Sequence, residues 1–293
     1  MARVAIVGVG AIGGALTSFL WTAGGHEITL CTRRPLPRLT IETPQGTLHI
    51  TTRNVTDPAH AEAVDWVLVA TKTYDAAGAA SWFPALCAKG APVAVLQNGV
   101  EHRERFAPYI SAERLLPVVI DCPAERTADD QFQVRGPARM TAEDTPLGRS
   151  FAELFRGSSA KLELTSDFIT ALWWKLCMNS VGALSALALK PSGVLREPAI
   201  ERVARAMVAE CAAVARAEGA HISESIGEEV LAVYRGHPAD SKNSLLADRL
   251  AGRRMEWDAR NGAIVRKGEK HGIDTPLNRM AAALLEVVEG ERF

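Results

Sequence analysis

Aromatic residues are scarce: Phe, Trp and Tyr make up 6% of the 293 residues. That is too few to line a stacking groove for single-stranded nucleic acid. An excess of charge is missing too. Lys and Arg total 33 against 34 Asp and Glu, a net charge of -1, so no basic footprint points to nucleic acid as a partner. The five cysteines, Cys31, Cys87, Cys122, Cys177 and Cys211, are odd in number and show no CxxC spacing. This excludes a disulfide scaffold and gives no zinc-type ligand set; reduced thiols in a cytoplasmic protein and no bound metal are expected. Long apolar runs are nearly absent. The exception, residues 168–189, meets the length of a membrane span but carries Lys175 and Asn179 near its middle. It reads as a helix at the centre of a globular domain, with no membrane partner. Residues 1–8 lead straight into a strand pattern without a charged and then apolar leader, so no signal peptide is expected.

What remains is an ordinary globular composition, 47% hydrophobic and 23% charged. The length suggests two domains. Apolar, β-branched runs at 2–7, 27–32, 65–70, 92–96, 114–120, 131–134 and 161–164 read as strands. Residues 40–52 read as strand, turn and strand around Pro44-Gln45-Gly46. Helical patterns at 11–23, 74–88, 101–109 and 151–156 alternate with them, which predicts a parallel sheet covered on both faces. After Ser166 the pattern changes to helices only, at 168–189, 198–218, 223–234, 241–271 and 276–289. The expected fold class is α/β: a doubly wound, Rossmann-type domain over 1–166, then an all-α domain over 167–293.

Gly8-Val9-Gly10-Ala11-Ile12-Gly13 is GxGxxG between a strand and a helix. Gly8 permits the tight turn, Gly10 lets a pyrophosphate approach the backbone, and Gly13 lets helix pack on strand. The helix N-terminus then offers free N–H groups to the phosphates. At the end of the second strand, where NAD-specific sites carry an acid, the chain reads Cys31-Thr32-Arg33-Arg34. An arginine pairs with a 2′-phosphate, so NADP is expected, with Arg33 ahead of Arg34 as its partner; either could instead face solvent. Thr71-Lys72-Thr73 and Gln97-Asn98-Gly99 follow later strands, on the side where such sheets bind ligands. Lys72 suits a phosphate or ribose, and Asn98 the ribose or carboxamide end of a cofactor, though a solvated lysine and a common Asn-Gly turn are the plain alternatives.

Lys175 and Asn179 are four apart on one helix face, among Trp173, Trp174, Leu176 and Met178. A lysine desolvated in such company can serve as a proton donor near neutrality; a structural pairing is the alternative. A second polar group comprises Ser244, Asp248, Glu256, Asp258 and Asn261. If 241–271 is one helix, Ser244, Asp248 and Glu256 follow a drifting stripe. Glu256 suits anchoring a substrate hydroxyl, whereas Asp248 and Asp258 suit solvent or pairing with Arg249, Arg253 or Arg254.

The motifs GVGAIGG (8–14), ATK (70–72), QNG (97–99), WKLCMNS (174–180) and SLLADRLAGRRMEWDARNGAIVRKGEKHGIDTP (244–276) together resemble the ketopantoate reductase, or 2-dehydropantoate 2-reductase, family over nearly the full chain. The resemblance implies an N-terminal Rossmann domain, a helical second domain, a cleft active site and NADPH as cofactor. It implies that Lys175 is the general acid and that Glu256 binds the product hydroxyl and helps position the cofactor. Asn179 and Ser244 would hold the substrate, Asn98 would touch cofactor and substrate, and Lys72 would contact the cofactor. The implied reaction is NADPH-dependent reduction of a small 2-oxo acid, ketopantoate first, to the 2-hydroxy acid pantoate in pantothenate biosynthesis. No metal is required. The sequence departs from the family in two places: a second asparagine one turn beyond Asn179 is missing, and Pro191-Ser192-Gly193 stands where Pro-Asn-Gly is common. A paralogous reductase of another 2-oxo acid is therefore the alternative, and a non-catalytic NADP-binding sensor a further one. Whether the apolar helical half buries a homodimer patch or only its own core is open.

Overall fold

A computed structural model describes residues 1–289; residues 290–293 of the expected second domain lie outside the described residues. The chain divides into two compact units. The first comprises Met1–Gln97 and His102–Phe168, and the second joins Asn98–Glu101 to the chain from Ile169 onward.

The first unit is built on a six-stranded sheet: β1 (Arg3–Val7), β2 (Glu27–Cys31), β3 (Arg53–Val55), β4 (Trp66–Val69), β5 (Val93–Val95) and β6 (Leu115–Pro117). Every pairing is parallel and the spatial order is β3-β2-β1-β4-β5-β6, the Rossmann order. The strands are apolar on both sides because both sides are covered. Val4 and Ile6 of β1 pack with Leu16, Phe19 and Leu20 of helix Ala11–Ala23. Ala5 and Val7 face the opposite cluster, with Ala79, Phe83, Leu86 and Phe106. Burying each of the larger of these side chains, valine upward, stabilises by about 1.5–3 kcal/mol, which fixes the strand register against a one-residue slip.

Two smaller sheets complete this unit. One orders Ala124–Arg126, Gln131–Val134, Arg38–Thr43 and Gly46–Thr51, the other Lys161–Thr165, Arg139–Glu143 and Val119–Asp121. Phe132 of the first packs against Gly14, where an added Cβ would run into its ring. Several local expectations are corrected. Residues 74–88 are two short helices, Ala76–Ala80 and Phe83–Leu86, after a 3₁₀ turn. Residues 114–120 split at Val118 into strands of different sheets. The helix expected at 151–156 starts earlier, at Pro146, where the Thr145 hydroxyl accepts the Gly148 N–H as an N-cap.

In the second unit the described residues from Ile169 on are helical or loop. The 168–189 run is not one helix. It breaks at Val181 into Phe168–Ser180 and Gly182–Ala188. Two amides supplied from far along the chain take up carbonyls at the break: Asn261 Nδ2 donates to Ser180 O (3.0 Å) and Asn243 Nδ2 to Gly182 O (3.2 Å). The 241–271 helix is likewise not continuous. Ser244–Leu250 ends at Gly252, whose φ of 59° is left-handed, with Arg253 N–H closing on Asp248 O (2.8 Å). The Ser244–Glu256 stripe is therefore not a helix face. A loop leads to one wide turn, Asp258–Gly262, in which Gly262 N–H bonds Trp257 O five residues back, and then to helix Ala263–His271. No helix among the described residues is long and apolar enough to cross a membrane.

Candidate active site

The glycine loop of the first unit has a distinct reason for each glycine. Gly8 sits at φ 90°, and an added Cβ would press on Thr71, 2.9 Å from its N. Gly13 packs its Cα side on the Gly8 carbonyl, leaving no room for a Cβ. Gly10, by contrast, has nothing within 4 Å of where a Cβ would stand, so its restriction serves something other than packing. Val9 is buried, while Ala11 and Ile12 are half-buried in the first turn of helix Ala11–Ala23. That turn has no side-chain cap and no acidic residue, which leaves its N–H groups and the positive end of the helix dipole for an anion. Arg33 and Arg34 are both exposed past the end of β2.

The loops after β4 and β5 are tied to each other. Gln97 Nε2 donates to Thr71 Oγ1 (3.0 Å) and to the Lys72 carbonyl (3.2 Å), holding half-buried Lys72 beside the glycine loop's Thr71 neighbour. The Gln97 carbonyl in turn receives His102 Nε2 (2.8 Å). Burial pushes the His102 pKa down to about 4, so the ring is a neutral donor there at physiological pH.

The second unit collects most of the polar candidates. Asn179 Nδ2 donates to Asn98 Oδ1 (3.3 Å), and Asn98 Nδ2 donates to Glu256 Oε2 (3.1 Å). Lys175, one helical turn before Asn179, is half-buried rather than sunk in the helix core. Glu256 is only 4% exposed. Asn98 can reach these partners because Gly99 follows it at φ 95°, tight against the Ala259 backbone. Arg266 fixes the same segment, gripping both oxygens of Glu101 (3.0 and 2.8 Å). Ser244 is exposed and accepts from Arg260 Nη2 (2.6 Å). Asp248 pairs with Arg253 (3.0 Å), as expected, whereas Asp258 pairs with Arg266 instead of its nearer arginines. Asn261 is fully buried and structural, bonded to Ser180 O and Asn278 Oδ1.

Arg260 was missed. In sequence nothing singles it out from the other arginines of a charged stretch, yet it is 3% exposed. Burial pulls its pKa below the ordinary arginine value, against the opposing pull of Glu256, Tyr234 and Asp248. All five cysteines are free, and burial pushes Cys31 and Cys122 up to about 12, where neither forms a thiolate near neutrality.

Residues 4–146 match the family Ketopantoate reductase PanE/ApbA, and residues 167–289 match Ketopantoate reductase PanE/ApbA C terminal. A 2-dehydropantoate 2-reductase of Caulobacter vibrioides is 46% identical over 97% of this chain and 98% of its own. The chain belongs to the ketopantoate reductase family. A 2-dehydropantoate 2-reductase of Mycobacterium tuberculosis is 35% identical over 96% of both chains. The crystal structure of a PanE/ApbA family ketopantoate reductase from Ralstonia eutropha superposes with a TM-score of 0.89 at 32% identity, covering 98% of each chain. As a ketopantoate reductase family member the chain is an oxidoreductase, and NADP(H) is its cofactor. The residues present fit that group. The open side of Gly10 and the uncapped helix turn suit a pyrophosphate, and the exposed arginines after β2, in place of an acid, suit a 2′-phosphate. Solved structures of the same fold include D-mandelate dehydrogenase with NADH, 21% identical with a TM-score of 0.89.

Proposed function

We propose that this chain reduces ketopantoate to pantoate, with Lys175 as the general acid. The observation that carries the reading is the hydrogen-bonded series Asn179, Asn98, Glu256, with Lys175 one helical turn from its first member. Under this reading residues 1–166 are the NADP-binding domain. Gly8, Val9, Gly10, Ala11, Ile12 and Gly13 hold the pyrophosphate, Arg33 the 2′-phosphate and Lys72 the adjoining ribose or phosphate. Residues from 167 on are the substrate-binding domain. The reduced nicotinamide, when bound, supplies hydride to the carbonyl carbon.

The chain's own residues manage the charge this creates. The ketone oxygen gains negative charge as the carbon is attacked, and the Lys175 ammonium donates a proton to it, giving the hydroxyl. Glu256 accepts a hydrogen bond from that hydroxyl once it has formed, and Asn98 keeps the carboxylate oriented. Asn179 and Ser244 position the substrate. The product is a 2-hydroxy acid, one step of pantothenate biosynthesis. A dimer, the state named for a ketopantoate reductase of Staphylococcus aureus with the same fold, is the assembly to look for.

A second reading is favoured by one observation: no asparagine occurs between Asn179 and Asn243, so the helix after Lys175 offers one amide to the substrate. A site short of one hydrogen-bonding partner discriminates less well between hydroxylated and plain substrates, and another small branched 2-oxo acid is then the substrate. The test is oxidation of NADPH, and separately NADH, with ketopantoate and a panel of 2-oxo acids. Efficient turnover of ketopantoate over the panel supports the first reading. Preference for another acid supports the second, and tight NADPH binding without turnover of any acid overturns both in favour of a sensor.

A further inference from the structure

We infer that Arg260 recognises the carboxylate of the 2-oxo acid through the hydroxyl of Ser244, a deepening that rests on the function proposed above. Taking a guanidinium out of water costs several kcal/mol, and Arg260 is 3% exposed. Its internal bonding does not account for that cost. Among the described residues its guanidinium donates one hydrogen bond, Nη2 to Ser244 Oγ at 2.6 Å, and its buried Nε has no partner. Glu256, Tyr234 and Asp248 oppose part of the burial cost electrostatically.

The direction of the Ser244 bond matters. Because Oγ accepts from Arg260, the hydroxyl proton points elsewhere, and Ser244 is exposed. An anion that accepts a hydrogen bond from this hydroxyl sits about 2.7 Å from Oγ, within the field of the guanidinium behind it. A relayed hydrogen bond from a cation is stronger than a neutral one.

The surroundings are built to hold this arrangement. Arg260 stands in the single wide turn Asp258–Gly262, a conformation concentrated at functional sites. Asn243 caps helix Ser244–Leu250 through the Leu246 N–H (3.0 Å) and bonds Gly182 O (3.2 Å), so Ser244 is tied to the segment following the lysine helix. A Cβ at Gly182 would lie 3.6 Å from Arg260 Nη1. The guanidinium thus lies along the stretch that has no second amide, and a cation there selects for an acid where an amide would select for a hydroxyl.

The test compares ketopantoate with its primary amide in the wild type, Arg260→Gln and Arg260→Lys. Arg260→Gln is expected to raise KM for ketopantoate roughly 10–100-fold with a smaller change in kcat. KM for NADPH and for the neutral amide should stay near wild type, so the preference for acid over amide collapses. Arg260→Lys keeps the charge without the planar fork and should fall between. An unchanged acid-to-amide preference in Arg260→Gln overturns the assignment. Should that variant not fold, an unchanged preference in Arg260→Lys does the same. Wild-type inactivity on every 2-oxo acid instead overturns the function itself, and this role with it.

Discussion

Asn98 donates Nδ2–H to Glu256 Oε2 at 3.1 Å across 158 positions of sequence, and its Oδ1 accepts from Asn179. With both ends of the amide committed, its orientation is defined: donor to the carboxylate, acceptor from the lysine helix. The carboxylate is nearly fully buried, and a buried carboxylate needs such donors to remain charged. One side chain thereby sets the position of Glu256 relative to the helix that carries Lys175.

Lys175→Ala removes the proposed proton donor without emptying the core, since Lys175 is half-buried. Loss of a positioned general acid lowers kcat by about 10²–10⁴-fold. The dissociation constant for NADPH, followed by fluorescence titration, should move little. A fall in NADPH affinity that matches the fall in kcat would place Lys175 on the cofactor instead.

Arg33→Ala tests the 2′-phosphate contact. Arg33 is exposed beyond β2, so its loss should leave thermal stability within about 0.5 kcal/mol of wild type. A charge-assisted hydrogen bond to phosphate is worth about 1.5–3 kcal/mol, which predicts roughly 10–100-fold weaker NADPH binding and nearly unchanged NADH binding. The same titrations on Arg34→Ala decide between the two arginines.

The α/β class and five of the six strands of the main sheet were legible because a buried parallel strand is written as a continuous apolar run, as in Trp66–Val69; the short edge strand Arg53–Val55, with one buried residue, was not. The glycine loop was legible because backbone conformation and close approach both demand glycine. Arg260 was not, because sequence does not record which arginine of a charged stretch turns inward. The break at Val181 was hidden for a related reason: the amides that take up its carbonyls come from Asn243 and Asn261, 61 and 81 positions away. The end of helix Ser244–Leu250 at Gly252 was readable, since glycine in a left-handed cap is an ordinary stop, and a regular spacing of polar residues outweighed it. Strands such as Arg139–Glu143 are short and polar at their ends, and only their pairing partners reveal them.

Gly99→Ala probes the loop that carries Asn98. The residue has φ 95°, and an added Cβ would stand 2.6 Å from Ala259 O. The strained backbone alone costs about 1–3 kcal/mol, and the contact with a backbone oxygen must be relieved by moving the loop. The expected result is a lower melting temperature together with a rise in substrate KM, because Asn98 moves with its neighbour. Loss of stability with unaltered KM would separate Asn98 from the substrate.

Glu218 supplies a prediction in pH. It follows helix Pro198–Ala217, where a negative charge opposes the helix dipole, so it needs compensation. Three groups of helix Ala263–His271 provide it: His271 Nε2 at 2.5 Å, Lys270 Nζ at 3.0 Å and Lys267 Nζ at 3.2 Å. Burial alone would raise the carboxyl pKa, but hydrogen bonds from His271, Lys270 and Lys267 outweigh it and bring the value from 4.5 to about 2. A folded-state pKa below the unfolded one means the unfolded chain binds the proton more readily. The stabilisation is then complete well above pH 4.5 and is lost as pH falls toward 2. Glu218→Gln should cost about 1–3 kcal/mol at pH 7, read from urea denaturation, and the gap between variant and wild type should close progressively below pH 4.5. A gap that stays constant down to pH 3 would mean that the glutamine disturbs packing between the two helices, and that the charge of Glu218 is not what joins them.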